Sequence, residues 1–158
     1  MWNMQQQLQA VGIAVERLRT GRVHPAWMAG LAVFVGLVRE MHVREGYHRD
    51  RVDALTLEHY PGMTEKAIEA MIDEAHRRFD IFGARVVHRV GLLQPLDQIV
   101  LVAVTSAHRG ESFKACEFLM DYLKTQAPFW KKEQTPQGAQ WVDARVSDDA
   151  ALARWGIA

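Results

Sequence analysis

Residues 98–126 read QIVLVAVTSAHRGESFKACEFLMDYLKTQ, and this stretch decides the predicted fold. Its first nine residues are mostly apolar and rich in valine, which predicts a buried β-strand. From Ser112 the apolar residues recur at the three- and four-residue steps of one helix face: Phe113, Cys116, Met120 and Leu123. Ser112 is the expected cap, and Pro128 ends the helix because the residue before a proline avoids helical geometry. The centre of the fold is therefore a strand that leads into a helix.

Toward the N-terminus, the pattern predicts a helix, a strand and a loop. The helix rests on apolar residues at helical spacing, namely Leu8, Val11, Val15 and Leu18. The apolar run at 26–38 is too short to span a membrane and rich in β-branched and aromatic residues, which predicts a strand buried on both faces. The arginine- and histidine-rich segment 39–51 is typical of a polar loop.

The middle of the chain predicts further strands around a second helix. DALTLEHY at 53–60 alternates apolar and polar residues, as a half-buried strand does. A turn at Pro61-Gly62 precedes a helix that Thr64 caps, and the predicted buried face of this helix is Ile68, Met71, Ile72, Ala75 and Phe79. ARVVHRVG at 84–91 and QWVDARV at 140–146 are the remaining strands. The sequence therefore predicts one α+β domain over 1–158, built on a mainly antiparallel sheet.

Composition narrows the classes of function. The 158 residues carry 19 acidic and 19 basic side chains, so no net charge favours nucleic acid or a membrane surface. The single cysteine, Cys116, excludes an internal disulfide, and no histidines are spaced as metal ligands, so we expect no metal and no cofactor. The N-terminus lacks the basic start and long apolar stretch of a secretion signal, which predicts a cytoplasmic protein.

Two groups of cations are candidates for an anion site. Lys124 and Lys131 flank Pro128, Phe129 and Trp130, and packing against these residues would desolvate an ammonium group and lower its pKa. The alternative for Lys124 is a charged stripe that faces solvent.

The second group is His108 and Arg109, which follow an apolar strand directly before a helix, where free backbone N–H groups bind anions. The alternative here is an ordinary connecting loop. His88 and Arg89 lie inside a strand, which favours a packing role. Cys116 lies on the apolar helix face, and a buried thiol is a poor nucleophile.

Several stretches resemble the MoaE family, the large catalytic subunit of molybdopterin synthase. They are LEHYPGMTEKA at 57–67, VTSAHRGESFKACEF at 104–118, MDYLK at 120–124 and APFWKKE at 127–133. The resemblance runs from about residue 30 to residue 145.

The resemblance implies an α/β-hammerhead fold and a sulfurtransferase of molybdenum cofactor biosynthesis. Family members insert two sulfur atoms into cyclic pyranopterin monophosphate, which makes the dithiolene of molybdopterin. The sulfur arrives as a thiocarboxylate on the C-terminal Gly-Gly of a small ubiquitin-like partner. Two large subunits form a dimer with one small subunit at each end, a heterotetramer.

The resemblance also assigns site residues. It makes Lys124 and Lys131 catalytic, and it implies a substrate-binding set of Leu37, Val38, Arg39, His108, Arg109, Lys132, Glu133 and Arg145. Arg145 is expected to reach the pocket across the dimer interface. Leu37 stands where the family pattern GKVR has its lysine. We expect Arg39, His108 and Arg109 to lie within a few ångströms of the two lysines.

A different class of function remains open at this point. A non-catalytic module of the same fold could use a cationic cleft to bind a nucleotide or a peptide carboxylate. Such a module would keep the arginines but would not need both lysines, so the presence of Lys124 and Lys131 favours the enzyme.

Overall fold

The computed structural model describes residues 12–18, 29–43, 49–142 and 153–156. The elements in these residues are β1 (Gly12–Leu18), β2 (Gly30–Leu37), β3 (Met41–Val43), β4 (Arg49–Arg51), β5 (Ala54–His59), α1 (Met63–Arg78), β6 (Ile81–Arg89), β7 (Gly91–Leu93), β8 (Gln98–Ser106), α2 (Arg109–Thr125), β9 (Phe129–Thr135) and β10 (Gly138–Val142). Among them, the strand pairs are all antiparallel. The α+β class and the antiparallel sheet are confirmed.

The first sheet has the strand order β1-β6-β8-β2 and carries the main core. Along β8, every second residue is buried, as expected for a strand with one face against helices. Val100, Val102 and Val104 of this face pack with buried residues of α1 and α2 in one cluster. Burying this apolar face is what holds both helices on the same side of the sheet.

The second sheet has the order β10-β9-β5-β7 and a smaller core of its own. Leu55 and Leu57 alternate with more exposed residues along β5, which confirms the predicted half-buried strand. They form a cluster with Val38 and Leu93, and Ile99 of β8 packs against it. Ile99 also contacts the main core, so the two sheets share apolar contacts.

α1 is confirmed, and Ile68, Met71, Ile72 and Ala75 of its predicted face are buried, whereas Phe79 follows the helix and is partly buried. The cap of α1 differs from the prediction. The N-cap is Gly62, in a left-handed conformation with φ of 81°, and its N–H donates to Oε2 of Glu65 at 2.6 Å. Thr64 lies inside the helix and is fully buried. Its Oγ1 accepts from the Tyr60 N–H and donates to the Pro128 carbonyl oxygen, both at 3.2 Å. Thr64 therefore connects the start of α1 to the segment that leads into β9.

Two predictions for the N-terminal region are wrong. Residues 12–18 form β1, whose register on β6 runs from Gly12 opposite Arg89 to Leu18 opposite Gly83, where the spacing predicted a helix. An open edge of β6 supplies backbone partners along the whole segment, and such tertiary pairing overrides a weak helical pattern. The predicted loop at 39–51 contains the hairpin of β3 and β4.

β2 is confirmed as a strand, but it is not buried on both faces. It forms the edge of the first sheet, where β8 is its neighbour in the described residues. Ala32 is buried against the helices, whereas Leu31 is 61% exposed and Val33 is 50% exposed. Phe34 is also exposed. Apolar side chains on an open sheet edge are characteristic of a surface that another chain covers.

α2 begins at Arg109, three residues before the prediction, because His108 rather than Ser112 is its N-cap. Ser112 is buried and its Oγ donates to the Arg109 carbonyl oxygen at 2.9 Å. Cys116 and Leu123 are buried as predicted, and Met120 is partly buried. Phe113 is 64% exposed, so its assignment to the buried face is wrong. Within the described residues, neither helix is long and apolar enough to cross a membrane.

A glycine sets the distance between α2 and β2. A Cβ at Gly30 would lie 3.1 Å from Cα of Arg109 and 3.0 Å from Oγ of Ser112. The backbone of Arg109 cannot give way as the end of a long side chain would. The close approach of the helix start to the strand therefore depends on the missing side chain at position 30.

We expect Gly30→Ala to lower the free energy of unfolding by about 1–3 kcal/mol, the usual cost of inserting a methyl group into a close-packed contact. Gly110→Ala is the matched control, because a Cβ at Gly110 meets nothing within 4 Å and alanine favours a helix. Urea denaturation of both variants measures the difference. Equal stability of the two variants would contradict the steric argument.

Candidate active site

α2 runs alongside β2, and the contacts of three α2 residues give its direction. Arg109 and Ser112 lie against Gly30 at the start of the strand. Four residues after Ser112, the Cys116 thiol donates to the Val102 carbonyl oxygen and also contacts the backbone of Phe34. Lys124 is eight residues beyond Cys116, a rise of about 12 Å. It therefore lies toward the end of the molecule at which β2 ends.

Lys131 reaches the same end of the molecule from a different element. It lies on β9, and its charge acts on the imidazole of His88. His88 pairs with Val100 in the register of β6 and β8, and Gly36 near the end of β2 pairs with the same valine. We call this region, with Leu37, Arg39, Lys124 and Lys131, the lysine end.

Both lysines of the lysine end are exposed in the described part of the chain. Lys124 lies in the last turn of α2, where the negative end of the helix dipole favours a cation. Of the aromatic pair before Lys131, only Phe129 packs into the core, and Trp130 is half exposed. The lysine end is thus an open cationic surface that could hold anions.

His88 lies beneath this surface and is 7% exposed. Its ring stacks on Phe129 with centroids 3.9 Å apart and an angle of 18° between the planes. Nδ1 lies 2.8 Å from the carbonyl oxygen of Arg89, which can only accept, so Nδ1 carries a proton and donates. Burial lowers the pKa of His88 to about 4, and the positive charge of Lys131 and the nearby His59 act in the same direction. His88 is therefore neutral at physiological pH.

The other end of α2 carries a second group of predicted residues. His108 and Arg109 are exposed at the helix start. They help to line a depression of about 460 Å³, together with Ala29, Ala107 and Gly110. The N-terminus of a 17-residue helix has free N–H groups and a positive dipole end, so this depression is suited to a phosphate or carboxylate.

The expectation that His108 and Arg109 lie within a few ångströms of the two lysines is wrong within one chain. Arg109 and Lys124 are separated by 15 residues of one helix, which is about 22 Å along its axis. A straight helix cannot bring its two ends together. The described residues of one chain therefore include two separate cationic regions, the lysine end and the depression at the start of α2.

The remaining predicted residues have different positions. The Val38 side chain is 2% exposed in the smaller core, and its N–H donates to the Asp97 carbonyl oxygen, so in this structure Val38 is a packing residue. Leu37 is exposed at the end of β2. Glu133 is partly buried on the face of β9 that carries Lys131. Arg145 lies outside the described residues.

Lys132 faces away from Lys131 because successive side chains of a strand point to opposite faces. Its Nζ lies 5.4 Å from the ring centroid of Trp141, a cation–π contact with the strand opposite. Lys132 would have to leave this contact to bind a ligand beside Lys131.

Cys116 is buried, and burial raises the pKa of its thiol, so it is protonated and unreactive at neutral pH. The prediction that Cys116 is an inert core thiol is confirmed. In the part of the chain that the structure describes, no three His, Cys, Asp or Glu residues are grouped to hold a metal ion.

Comparison with known proteins identifies the family. Residues 7–126 match the family model described as MoaE protein. The chain belongs to the MoaE family. A molybdopterin synthase catalytic subunit from Ralstonia nicotianae is 57% identical over 147 residues, which cover 93% of this chain and 79% of that protein.

Solved MoaE structures have the same fold. The molybdopterin biosynthesis MoaE protein from Burkholderia ambifaria is 57% identical with a TM-score of 0.68, over 85% of this chain and 84% of that one. A molybdopterin synthase structure from Staphylococcus aureus is 32% identical with a TM-score of 0.67, over 77% of this chain and 84% of that one. The resemblance in the sequence is thus confirmed at the level of family and fold.

Sequence reasoning missed the partner of His88. The residue was assigned to packing, which is confirmed, but nothing near it in the sequence indicates that its ring stacks on Phe129, 41 positions later. The contact joins β6 of the first sheet to β9 of the second. A stacked pair between sheets has no periodicity, so no sequence pattern could have indicated it.

We expect His88 to make the protein less stable as the pH falls. Its pKa is about 4 in the folded protein against an ordinary 6.5, so between these values the unfolded chain binds a proton that the folded chain does not. The stability that the neutral His88 contributes is fully present above pH 6.5 and is lost as the pH drops toward 4. The total loss in the free energy of unfolding is about 3 kcal/mol.

The check is urea denaturation of wild type and His88→Phe at several pH values across this window. The phenylalanine variant should lose less stability on acidification, because carboxylates contribute equally to both proteins. Parallel stability curves would show that His88 is not the responsible group.

Proposed function

We propose that the chain is the catalytic subunit of a cytoplasmic molybdopterin synthase that transfers sulfur to cyclic pyranopterin monophosphate. The observation that carries the proposal is the pair of exposed lysines, Lys124 in the last turn of α2 and Lys131 near the start of β9, which six residues of the chain join. The curated relatives named molybdopterin synthase catalytic subunit agree with this function.

The proposed chemistry suits two amines and no thiol. Each transfer forms a carbon–sulfur bond at a pyranopterin carbon as a carbon–oxygen bond at the same carbon breaks, and the oxygen leaves with a proton. Water then cleaves the acyl carbon–sulfur bond, which leaves a carboxylate on the donor tail and the sulfur on the pyranopterin. Lys124 and Lys131 would stabilise the negative charge that develops, and one of them would move a proton. Cys116 is buried, so a small partner with a Gly-Gly thiocarboxylate tail would bring the sulfur to this surface.

We expect Lys124→Ala to reduce dithiolene formation by about 100-fold or more, because positioned acid–base groups contribute at least that much. Lys131→Ala should also be severe. The matched control is Lys114→Ala, which removes an exposed lysine from the same helix and should leave activity within about twofold. The assay supplies the pyranopterin and a thiocarboxylated small subunit and detects the dithiolene.

The same assay separates the two classes of function. A non-catalytic module would bind the thiocarboxylated tail in wild type and in Lys124→Ala alike and would form no dithiolene with either. Full activity of Lys124→Ala would remove this lysine from the mechanism.

We further propose that each complete site uses two copies of the chain. His108 and Arg109 lie too far along α2 to act beside the lysines of their own protomer, as the helix length requires. A second copy could bring its own helix start, and the depression there, to the lysine end of the first. The exposed apolar edge of β2 is the surface that we assign to contact between the copies.

Mixed dimers test this arrangement. Lys124→Ala and Arg109→Ala chains are co-expressed with different affinity tags, and doubly tagged dimers are purified. One of the two sites then combines a wild-type lysine end with a wild-type Arg109, so we expect about half of the wild-type activity from two inactive parents. The control pair is Lys124→Ala with Lys131→Ala, which leaves both lysine ends defective and should give no recovery.

Two results would contradict the two-copy site. Doubly tagged dimers that are as inactive as their parents would mean that the lysines and Arg109 act within one chain. Failure to recover any doubly tagged species would mean that the chains do not pair.

A further inference from the structure

The stacked pair of His88 and Phe129 lies directly beneath the lysine end. The ring centroids are 3.9 Å apart, and the angle between the planes is 18°, so the two rings overlap face to face. His88 is buried on β6, and Phe129 packs against the main core. The contact therefore anchors the first residue of β9 to a strand of the other sheet.

Lys131 lies two residues after Phe129 on β9. Side chains two residues apart in a strand point to the same face, so Lys131 leaves β9 on the side of Phe129. The backbone of β9 is also held by β5, where Phe129 pairs with His59 and Lys131 pairs with Leu57. These pairings determine the register of the strand. The stack determines how the start of the strand lies against the first sheet.

The charged groups around the His88 ring favour its neutral form. The Nδ1 proton of His88 is donated to the carbonyl oxygen of Arg89. The charged side chains nearby are Lys131 on β9 and Arg89 on β6, whose guanidinium lies 3.8 Å from Asp97. His59 on β5 also acts on the ring, and its Nε2 lies 3.9 Å from Glu65. A neutral ring can stack on Phe129 without adding a second positive charge beside Lys131.

We propose that His88 is a positioning residue for Lys131, and that it acts by stacking on Phe129. The inference rests on the proposed function for its effect on catalysis, but the positional claim concerns only the folded chain. It assigns to His88 a role beyond packing, because the strand that His88 holds is the one that presents the catalytic amine.

The first test is a double-mutant cycle on dithiolene formation. His88→Leu removes the ring, and we expect kcat to fall by between about tenfold and 100-fold, as for misplacement of a reacting group by about 1 Å. In a Lys131→Ala background the same substitution should cost little more, because the amine that His88 positions is already absent. An equal loss in both backgrounds would overturn the proposal and leave His88 a structural residue.

A rescuing variant and a matched control distinguish a positioning role of His88 from an effect on the stability of the fold. His88→Phe keeps a stacking ring and should recover most of the activity, whereas Phe129→Leu removes the stack from the other side and should reproduce His88→Leu. Phe79→Leu removes a different aromatic contact, against Phe118 and Trp155, and should lower the melting temperature without changing the kcat of the folded enzyme. Activity loss that follows melting temperature across all four variants would also overturn the proposal.

A measurement without turnover tests the position of Lys131 directly. Lysines are labelled by reductive ¹³C-methylation, and the Lys131 signal is assigned by its absence in Lys131→Arg. We expect the chemical shift and titration of Lys131 to match wild type in His88→Phe and to change in His88→Leu and Phe129→Leu. An unchanged Lys131 signal in all variants would refute the positional claim. If the signal changes but Lys131→Ala is fully active, the proposed function fails and the positional claim stands.

Discussion

The packing of α2 on β8 and β2 is the constraint on which the rest of the structure depends. The valines of β8 bury the helix, and Gly30 lets its first turn approach β2 to backbone contact. With the start of the helix fixed, its length alone determines where Lys124 lies. The same length keeps His108 and Arg109 away from that lysine. One helix therefore both builds the lysine end and prevents a single chain from combining its two cationic regions.

Much of the fold could be predicted because its signals are local. The valine-rich strand at 98–106, the helix that follows it, and the alternation along β5 each depend on residues close in sequence. The errors have a common cause in tertiary structure. β1 is a strand because β6 offers it a partner, and the helix caps lie at Gly62 and His108, neither of which bonds to the helix through a side chain of its own. Pairing partners and exposed edges are properties of the assembled sheet, so they have no local pattern.

The candidate site could be predicted in its residue types but not in its arrangement. The motif MDYLK identifies Lys124 from the sequence alone, because a resemblance assigns residues by their position in the motif. It does not state how far each residue lies from the others, and for Arg109 and Lys124 that distance follows from the length of α2. The role of His88 depends on a contact between sheets that no motif contains. The distances in the folded chain therefore change how we interpret residues that the sequence alone identifies as candidates.

The open edge of β2 has a consequence for how such a protein behaves at different concentrations. Leu31 and Val33 would be shielded from water by a neighbouring copy and exposed again on dilution. A bare strand edge with apolar side chains also recruits unrelated strands, which is a route to aggregation. Dilution disfavours non-specific association as well, so the loss expected on dilution is one of catalytic competence, because the complete site that we propose depends on this strand being covered.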